Sequence, residues 1–406
     1  MELRFNGLLY ALSSALDFVE GEVFGITTHH ARRVACMCIS TGAQLGFSPV
    51  QLSHLAGAAV MHDNALTEYI ALRQKSPDPL RVTALDLTPH CRMGEENMKR
   101  LPFYADVQNV VLYHHENADG SGPFGLTARE TPVFAQLIHL CDQVDNAFHL
   151  DEADEDKYAQ LLQWLRQNRG SLFDGALADA FKEAVSYGTL LRMRGDGVLP
   201  LLSASLPEVT HACSEEDICS FSDVFAHITD FKSHFTSAHS QGIAQKARTM
   251  GRYLHAGSEE CTKLYLAGAL HDVGKLAIPN AILEKPDRLT PAEFAVMKTH
   301  AQYSWDILKE LTDVPDVVSW ACMHHEKLDG SGYPFGRTAA GLGRNERLLA
   351  CLDIYQALTE PRPYKSGMDH DAAMRILCEM AGAGKLDAAL VDDIGSCFGA
   401  AVRAAS

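Results

Sequence analysis

Along most of this chain, apolar residues recur at the three-and-four spacing of a helix face rather than alternating as in a strand. Phe231, Phe235, Ala238, Ala247, Met250 and Leu254 mark one side of a long helix that carries His239. Leu264, Leu266, Ala269 and Leu270 lead along another helix into His271. The run Val314–Val318 precedes His324, and Leu348–Ala357 carries Asp353. Strand-like stretches are few, and Leu199–Ser205 is the best of them. The pattern predicts an all-α fold.

The polar residues set into these helices repeat. Near the C-terminus the order is His239, His271-Asp272 with Lys275, His300, His324-His325 and Asp353. Near the N-terminus it is His30, His62-Asp63, His90, His114-His115 and Asp142. The offset is 209 for the first three (239 against 30), 210 for the next three (300 against 90) and 211 for the last aspartate (353 against 142). Two one-residue length changes therefore account for the whole alignment. The repeat reaches past these residues: DGSGPFG at 119–125 answers DGSGYPFG at 329–336, and GSLFDGALADAF at 170–181 resembles AGKLDAALVDDI at 383–394. Two domains are expected, 1–200 and 211–406, joined through Pro200–Glu216, which holds Pro207, several serines and an acidic cluster.

Composition narrows the function classes. At 406 residues, 47% hydrophobic and 21% charged, the chain can build two cores. Its net charge of -17 argues against a DNA or RNA binder, which would neutralise phosphates with an excess of Lys and Arg. A small phosphorylated ligand held by a few local cations is compatible with that charge. Eleven scattered cysteines with no CxxC read as reduced thiols of a cytoplasmic protein. No run approaches the length of a membrane span.

Histidine and aspartate bind divalent transition metals through imidazole nitrogen and carboxylate oxygen. A lone buried histidine is usually a satisfied core group. Seven matched positions in two otherwise divergent copies point to a duplicated metal site instead. Seven ligands are too many for one tetrahedral ion and suit two. Two ions a few ångströms apart suit phosphoester hydrolysis, where one activates a water and both stabilise charge on the phosphoryl oxygens.

The motifs resemble the HD-GYP family, a branch of the HD-domain metal phosphohydrolases that hydrolyses cyclic dinucleotides in bacterial signalling. HDVGKLAIP at 271–279 matches the HD motif with its lysine, HHEKLDGSGYP at 324–334 the second signature, and DIYQALTEPRPYK at 353–365 the segment with the last metal aspartate. The resemblance covers most of 220–400. It implies two tandem helical-bundle HD-type domains. It also implies two divalent transition-metal ions per active domain, iron or manganese by the family's habit. His239, His271, Asp272 and Asp353 would hold one ion, and His300, His324 and His325 the second, with Asp272 bridging. Asp272 and Lys275 would be catalytic, with Lys275 reaching a phosphate oxygen. Arg362 and Lys365 would clamp the ligand phosphates, and Tyr333 would sit in the loop over the substrate.

The chain also departs from the family. Phe235, and Ile26 in the other copy, stand where some members carry a glutamate for a third metal, so two ions are expected. Gln356 replaces a frequent aspartate, which we expect to matter little. The N-terminal copy keeps its seven ligands, but Leu66 replaces the lysine, the GYP tyrosine is missing, and QVDNAFHLDEA follows Asp142 with no Arg-Pro-Tyr-Lys. The expected activity is opening of cyclic di-GMP or 3′,3′-cyclic GMP-AMP to a linear 5′-phosphorylated dinucleotide in the C-terminal domain. The N-terminal domain would act as a 5′-nucleotidase or as a regulatory partner. The rival reading is a non-catalytic cyclic-dinucleotide receptor, and a homodimer is compatible with either.

Overall fold

The computed structural model describes residues 2–4, 7, 10, 11, 13–18, 29–66, 68, 69, 87–101, 103–207, 210–231, 239–285, 287–361 and 366–405. The chain forms two compact units, Arg4–His211 and Ala212–Ser406 with Met1–Leu3. The fold is all-α. Among the described residues there are, beside the helices, two short strands, β1 (Glu2–Arg4) and β2 (Thr210–Ala212), which pair with each other.

The first unit contains α1 (His30–Gln44), α2 (Pro49–Val60), α3 (Thr88–Met98), α4 (Val133–Phe148), α5 (Glu155–Gln167), α6 (Gly175–Ala184), α7 (Tyr187–Arg192) and α8 (Val198–Ser205). Helix α1 is the central one and packs on α2, α4, α6 and α8. It is buried nearly all round from His30 to Gly42, as a helix with neighbours on several sides must be. The second unit contains α9 (Glu215–Phe231), α10 (His239–Tyr253), α11 (Ser258–Leu270), α12 (Asn280–Leu283), α13 (Pro291–Leu308), α14 (Pro315–Cys322), α15 (Arg344–Thr359), α16 (His370–Gly382) and α17 (Ala388–Ala405). Here α10 and α11 pack on each other, α10 also on α15, and α11 on α9 and α14.

Local sequence explains where two ligand-positioning helices begin. Before α2, the Ser48 hydroxyl accepts from the Gln51 amide and the Gln51 side chain accepts from the Ser48 amide, with Pro49 in the first turn. Before α13, Thr290 and Glu293 do the same, with Pro291 in the first turn. Each box satisfies backbone donors that the helix cannot, and a proline there sacrifices no hydrogen bond.

One expectation needs correction. The strand expected at Leu199–Ser205 is helix α8, with Val198 and Leu202 buried one turn apart. A short apolar run fits either periodicity, and only packing decides between them. Of the long helix expected from Phe231 to Leu254, the described residues give α9 through Phe231 and α10 over His239–Tyr253, while Phe235 and Ala238 lie outside the described residues. No disulfide joins any of the cysteines. Among the described residues no helix is long and apolar enough to cross a membrane.

In the second unit a short 3-10 turn, Val273–Ala277, carries Lys275 and lies against α13. Gly274 makes that approach possible. A Cβ there would lie 2.0 Å from the His300 carbonyl oxygen and 2.4 Å from the Ser304 amide nitrogen. The Gly274 amide donates to the Ser304 hydroxyl, which itself donates to the His271 carbonyl. The backbone between His271 and Lys275 is thus stitched to the helix bearing His300.

Gly274→Ala should push these segments apart and cost about 1–3 kcal/mol, the usual range for overpacking. Gly257→Ala is the control, because a Cβ there meets nothing within 4 Å. Thermal denaturation of both variants checks this. Equal melting temperatures would show that the contact carries no strain.

Candidate metal centres

In the second unit the candidate ligands come from five places in the fold. His239 is the first residue of α10, and His271 and Asp272 follow α11 directly. His300 lies in the middle of α13, His324 and His325 follow α14, and Asp353 lies on α15. Three groups have ligand atoms within 4.8 Å of one another: His239, His271 and Asp353; His300, His324 and His325; and His271, Asp272 and His324. Asp272 stands between them. Its Oδ2 is 3.0 Å from His271 Nε2 and 3.8 Å from His239 Nε2. Its Oδ1 is 3.4 Å from His300 Nε2 and 3.8 Å from His324 Nε2. Asp353 faces His239 Nε2 at 3.4 Å and His325 Nδ1 at 3.4 Å.

The imidazoles are oriented from behind. His271 Nδ1 is 2.8 Å from the Gly268 carbonyl, His300 Nδ1 is 2.7 Å from that of Met297, and His324 Nδ1 is 2.5 Å from that of Ala321. A carbonyl only accepts, so Nδ1 carries the proton and Nε2 presents its lone pair to the centre. These Nε2 atoms and Asp272 Oδ1 are buried and make no hydrogen bond. Several buried acceptors aimed at one point cost free energy unless something positive lies among them. A divalent transition metal meets that need, and the nitrogen-and-carboxylate donor set suits it.

The first unit repeats the arrangement. His30, His62 and Asp142 form one group, and Asp63, His90, His114 and His115 the other. Asp142 Oδ1 is 3.2 Å from His30 Nε2 and 3.7 Å from His62 Nε2. Asp63 Oδ1 is 2.9 Å from His90 Nε2 and 3.7 Å from His114 Nε2, and Oδ2 is 3.6 Å from His62 Nε2. His62 Nδ1 and His114 Nδ1 again lie on carbonyls three residues back, those of Ala59 and Val111. In both copies, all seven candidates converge.

The surroundings differ between the copies. The Lys275 ammonium donates to Asp272 Oδ2 at 2.5 Å, whereas Leu66 is buried at the matching place. The glycine loops share one scaffold, built on a glutamate that directly follows each His-His pair. Glu116 accepts from the amides of Phe124 and Leu126, both at 2.6 Å. Glu326 accepts from those of Phe335 and Arg337, at 2.7 and 2.9 Å. Gly332 is required because a Cβ there would lie 2.4 Å from Glu326 Cα, and Gly122 sits likewise at 2.7 Å from Glu116 Cα. With both ends anchored alike, the extra residue of the C-terminal loop is Tyr333 itself. Its insertion is what moves the offset between the copies from 210 to 211. The Tyr333 ring lies 4.7 Å from the His325 ring and 6.3 Å from that of His300, over the second group.

Sequence reasoning missed the residues behind the ligands. Glu116 and Glu326 were legible, since His-His-Glu occurs in both copies at one offset. Asp145, which faces His30 Nδ1 at 2.6 Å, lies three residues past Asp142 on the same helix face. Glu360, 2.9 Å from His239 Nδ1, has no counterpart in the other copy and gave no signal. Arg362, Lys365, Phe235 and Ile26 lie outside the described residues.

Burial, reinforced by neighbouring imidazoles, holds His300 and His324 in the neutral form and takes His325 down to about 3. Two histidines go the other way. Burial alone would lower His62, but Asp63 and Asp142 bring it up to about 9. Burial would also lower His239, and Asp353 and Glu360 likewise bring it to about 9. Asp63, Asp272 and Asp353 stay well below the usual carboxylate range despite burial, held there by His62, by His271 with Lys275, and by His239 with His325, respectively.

These shifts set the sign of the pH dependence. A depressed carboxylate contributes stability that is present above its unfolded value of about 4 and lost at lower pH. A raised histidine contributes stability that is present below about 6.5 and lost as the pH rises through its folded value. After chelation, the melting temperature should therefore be highest at about pH 6.5. It should fall on acidification, first as the histidines that burial holds neutral lose their contribution below about pH 6.5 and further as the carboxylates do below about pH 4. It should fall again between about pH 6.5 and 9. Loading with Mn²⁺ should remove the alkaline fall, because ligation already holds the imidazoles neutral. A chelated protein whose melting temperature is flat from pH 6.5 to 9 would contradict the assigned shifts of His62 and His239.

A family model described as HD domain matches residues 23–177 and 223–390. Over 400 residues the chain is 29% identical to 3′3′-cGAMP-specific phosphodiesterase 1 of Vibrio cholerae, covering 95% of this chain and 90% of that one. Over 149 residues it is 36% identical to a cyclic di-GMP phosphodiesterase of Pseudomonas aeruginosa, covering 36% of each. A crystal structure of a cyclic GMP-AMP specific phosphodiesterase of V. cholerae shares the fold, with a TM-score of 0.66 and 22% identity over 98% of both chains. The two matched stretches make up most of the chain and enclose both sets of histidines and aspartates. This chain belongs to the HD domain family, with one such domain in each half and the HD-GYP motifs in the second.

Proposed function

We propose that this chain is a metal-dependent phosphodiesterase that opens a cyclic dinucleotide to a linear 5′-phosphorylated dinucleotide, and that its C-terminal domain performs the reaction. The observation that carries this reading is Asp272, a buried carboxylate whose two oxygens face two separate groups of imidazoles. On this reading each domain holds two ions, iron or manganese, on its seven ligands. Such ions, when bound, activate water for attack and stabilise charge on the phosphoryl oxygens.

The chain's own residues do the rest. Backbone carbonyls fix the histidine tautomers, so the ligand lone pairs are set before substrate arrives. Lys275 holds Asp272 Oδ2 and places its ammonium at the centre, where a phosphoryl oxygen would gain negative charge. Tyr333 covers the second group of imidazoles and offers a ring and a hydroxyl to the ligand. Arg362 and Lys365 would take the remaining phosphate charge. The relative spanning nearly the whole chain is named for 3′3′-cGAMP, so that is the substrate to try first, followed by cyclic di-GMP.

The N-terminal site supports a second activity. It gathers the same ligands but has the apolar Leu66 where Lys275 would be and no inserted tyrosine. A more open site with a weaker hold on a cyclic diphosphate suits a terminal phosphate, for example on the linear product. The chain would then open the ring at one site and release phosphate at the other.

Asp272→Ala, with His62 and Asp63 also replaced by alanine, should reduce ring opening at least about 10²–10³-fold, the range for losing one electrostatic stabiliser. The check is chromatographic detection of linear product with Mn²⁺ or Fe²⁺, and near-normal turnover would sink the assignment. Replacing His62 and Asp63 alone should leave ring opening intact and stop phosphate release from the linear dinucleotide. If the unaltered protein releases no phosphate from any linear dinucleotide or mononucleotide, the second activity fails and a regulatory role takes its place.

A further inference from the structure

The first histidine of each site is held by different neighbours in the two copies. In the N-terminal unit, His30 Nδ1 faces Asp145 Oδ2 at 2.6 Å. Asp145 is locked in turn by Arg33, with Nε donating to Oδ1 at 2.7 Å and a terminal guanidinium nitrogen to Oδ2 at 2.9 Å. All three side chains are buried. The alignment that pairs His30 with His239 pairs Arg33 with Gly242, and the one that pairs Asp142 with Asp353 pairs Asp145 with Gln356. An ion pair in one copy is therefore glycine and glutamine in the other.

These two replacements touch each other. A Cβ on residue 242 would lie 2.4 Å from Gln356 Nε2, so the space left by the arginine is filled by the longer amide. Gln356 Oε1 accepts from Lys246 Nζ at 2.6 Å. The carboxylate at His239 Nδ1 is instead supplied from one turn further on, by Glu360 at the end of α15, at 2.9 Å. The residue in register with Glu360 in the other copy is His149. Three positions have changed together, and what they share is a carboxylate behind the first histidine.

We propose that Glu360 is the positioning residue of the C-terminal metal centre. It accepts the Nδ1 proton of His239 and so turns Nε2 toward Asp353 and Asp272, the task that Asp145 performs for His30. The proposal rests on the metal reading above. A carboxylate in this place fixes the ring and raises the basicity of the ligating nitrogen, and losing it from metal sites typically costs 10–100-fold in affinity.

The test uses the full chain with His62→Ala and Asp63→Ala, so that metal content reports the C-terminal centre. Mn²⁺ per chain and its affinity are measured by elemental analysis and chelator competition. Adding Glu360→Ala should weaken Mn²⁺ binding about 10–100-fold with unchanged helical circular dichroism, and Glu360→Gln should fall between. Gln356→Asp, introduced on top of Glu360→Ala, should restore affinity. It puts a carboxylate at the place of Asp145, next to Lys246, which can pair with it as Arg33 does with Asp145. A parent chain that takes up no metal overturns the metal reading and this assignment with it. A parent that binds Mn²⁺, and binds it equally well without Glu360, overturns the assignment alone. So does loss of metal that Gln356→Asp fails to restore, because a mere packing role for Glu360 predicts that result.

Discussion

The C-terminal centre depends on burying one carboxylate so that its two oxygens look in different directions. Asp272 is 2% exposed, and a lone charge at that depth would be too costly to keep. Its ionised form persists because His271 and Lys275 lie against Oδ2, while Oδ1 faces His300 and His324. Much of the surrounding architecture serves that geometry. Helix α11 ends one residue before the His271-Asp272 pair, Gly274 lets the next turn approach α13, and Ser304 links the His271 carbonyl to the Gly274 amide.

The same constraint explains what could be read from the sequence. Groups whose position is fixed by the centre had to keep both residue type and spacing, so the fourteen ligand candidates and the all-α class were legible. The glycine loop was legible for a different reason. Its backbone packs on Glu116 or Glu326 too closely for a side chain, so glycine recurs in both copies. Residues that act from behind the ligands escaped notice because any carboxylate that reaches Nδ1 will serve. Asp145 and Glu360 therefore sit at unmatched positions. The mistaken strand at 199–205 has a simpler cause, since local periodicity in a short apolar run carries too little information.

Between the copies, the inner atoms are kept and the atoms facing a ligand have changed. Ligands, backbone-held tautomers and the glutamate-pinned loop recur. The lysine has become a buried leucine, and one loop carries a tyrosine inserted between shared anchors. An insertion at that point lets a new side chain reach over the imidazoles without disturbing the amides on either side. Divergence of this kind alters what the site grips more readily than whether it holds metal.

The N-terminal unit bears on that last distinction. A packing partner relieved of metal binding gains nothing from burying His62, His90, His114 and Asp142 together, because their inward-facing atoms lie in a crowded, dehydrated space. Apolar residues of similar volume would be neutral or better there. Nor would it need the buried Arg33–Asp145 pair, whose desolvation is justified by the bond Asp145 makes to His30 Nδ1. An orienting carboxylate and its cation, kept behind a histidine, are hard to account for unless the histidine's other nitrogen has something to hold. The orienting pair is thus a stronger argument for metal in the N-terminal site than the ligands alone, since it has no use in a site that binds nothing.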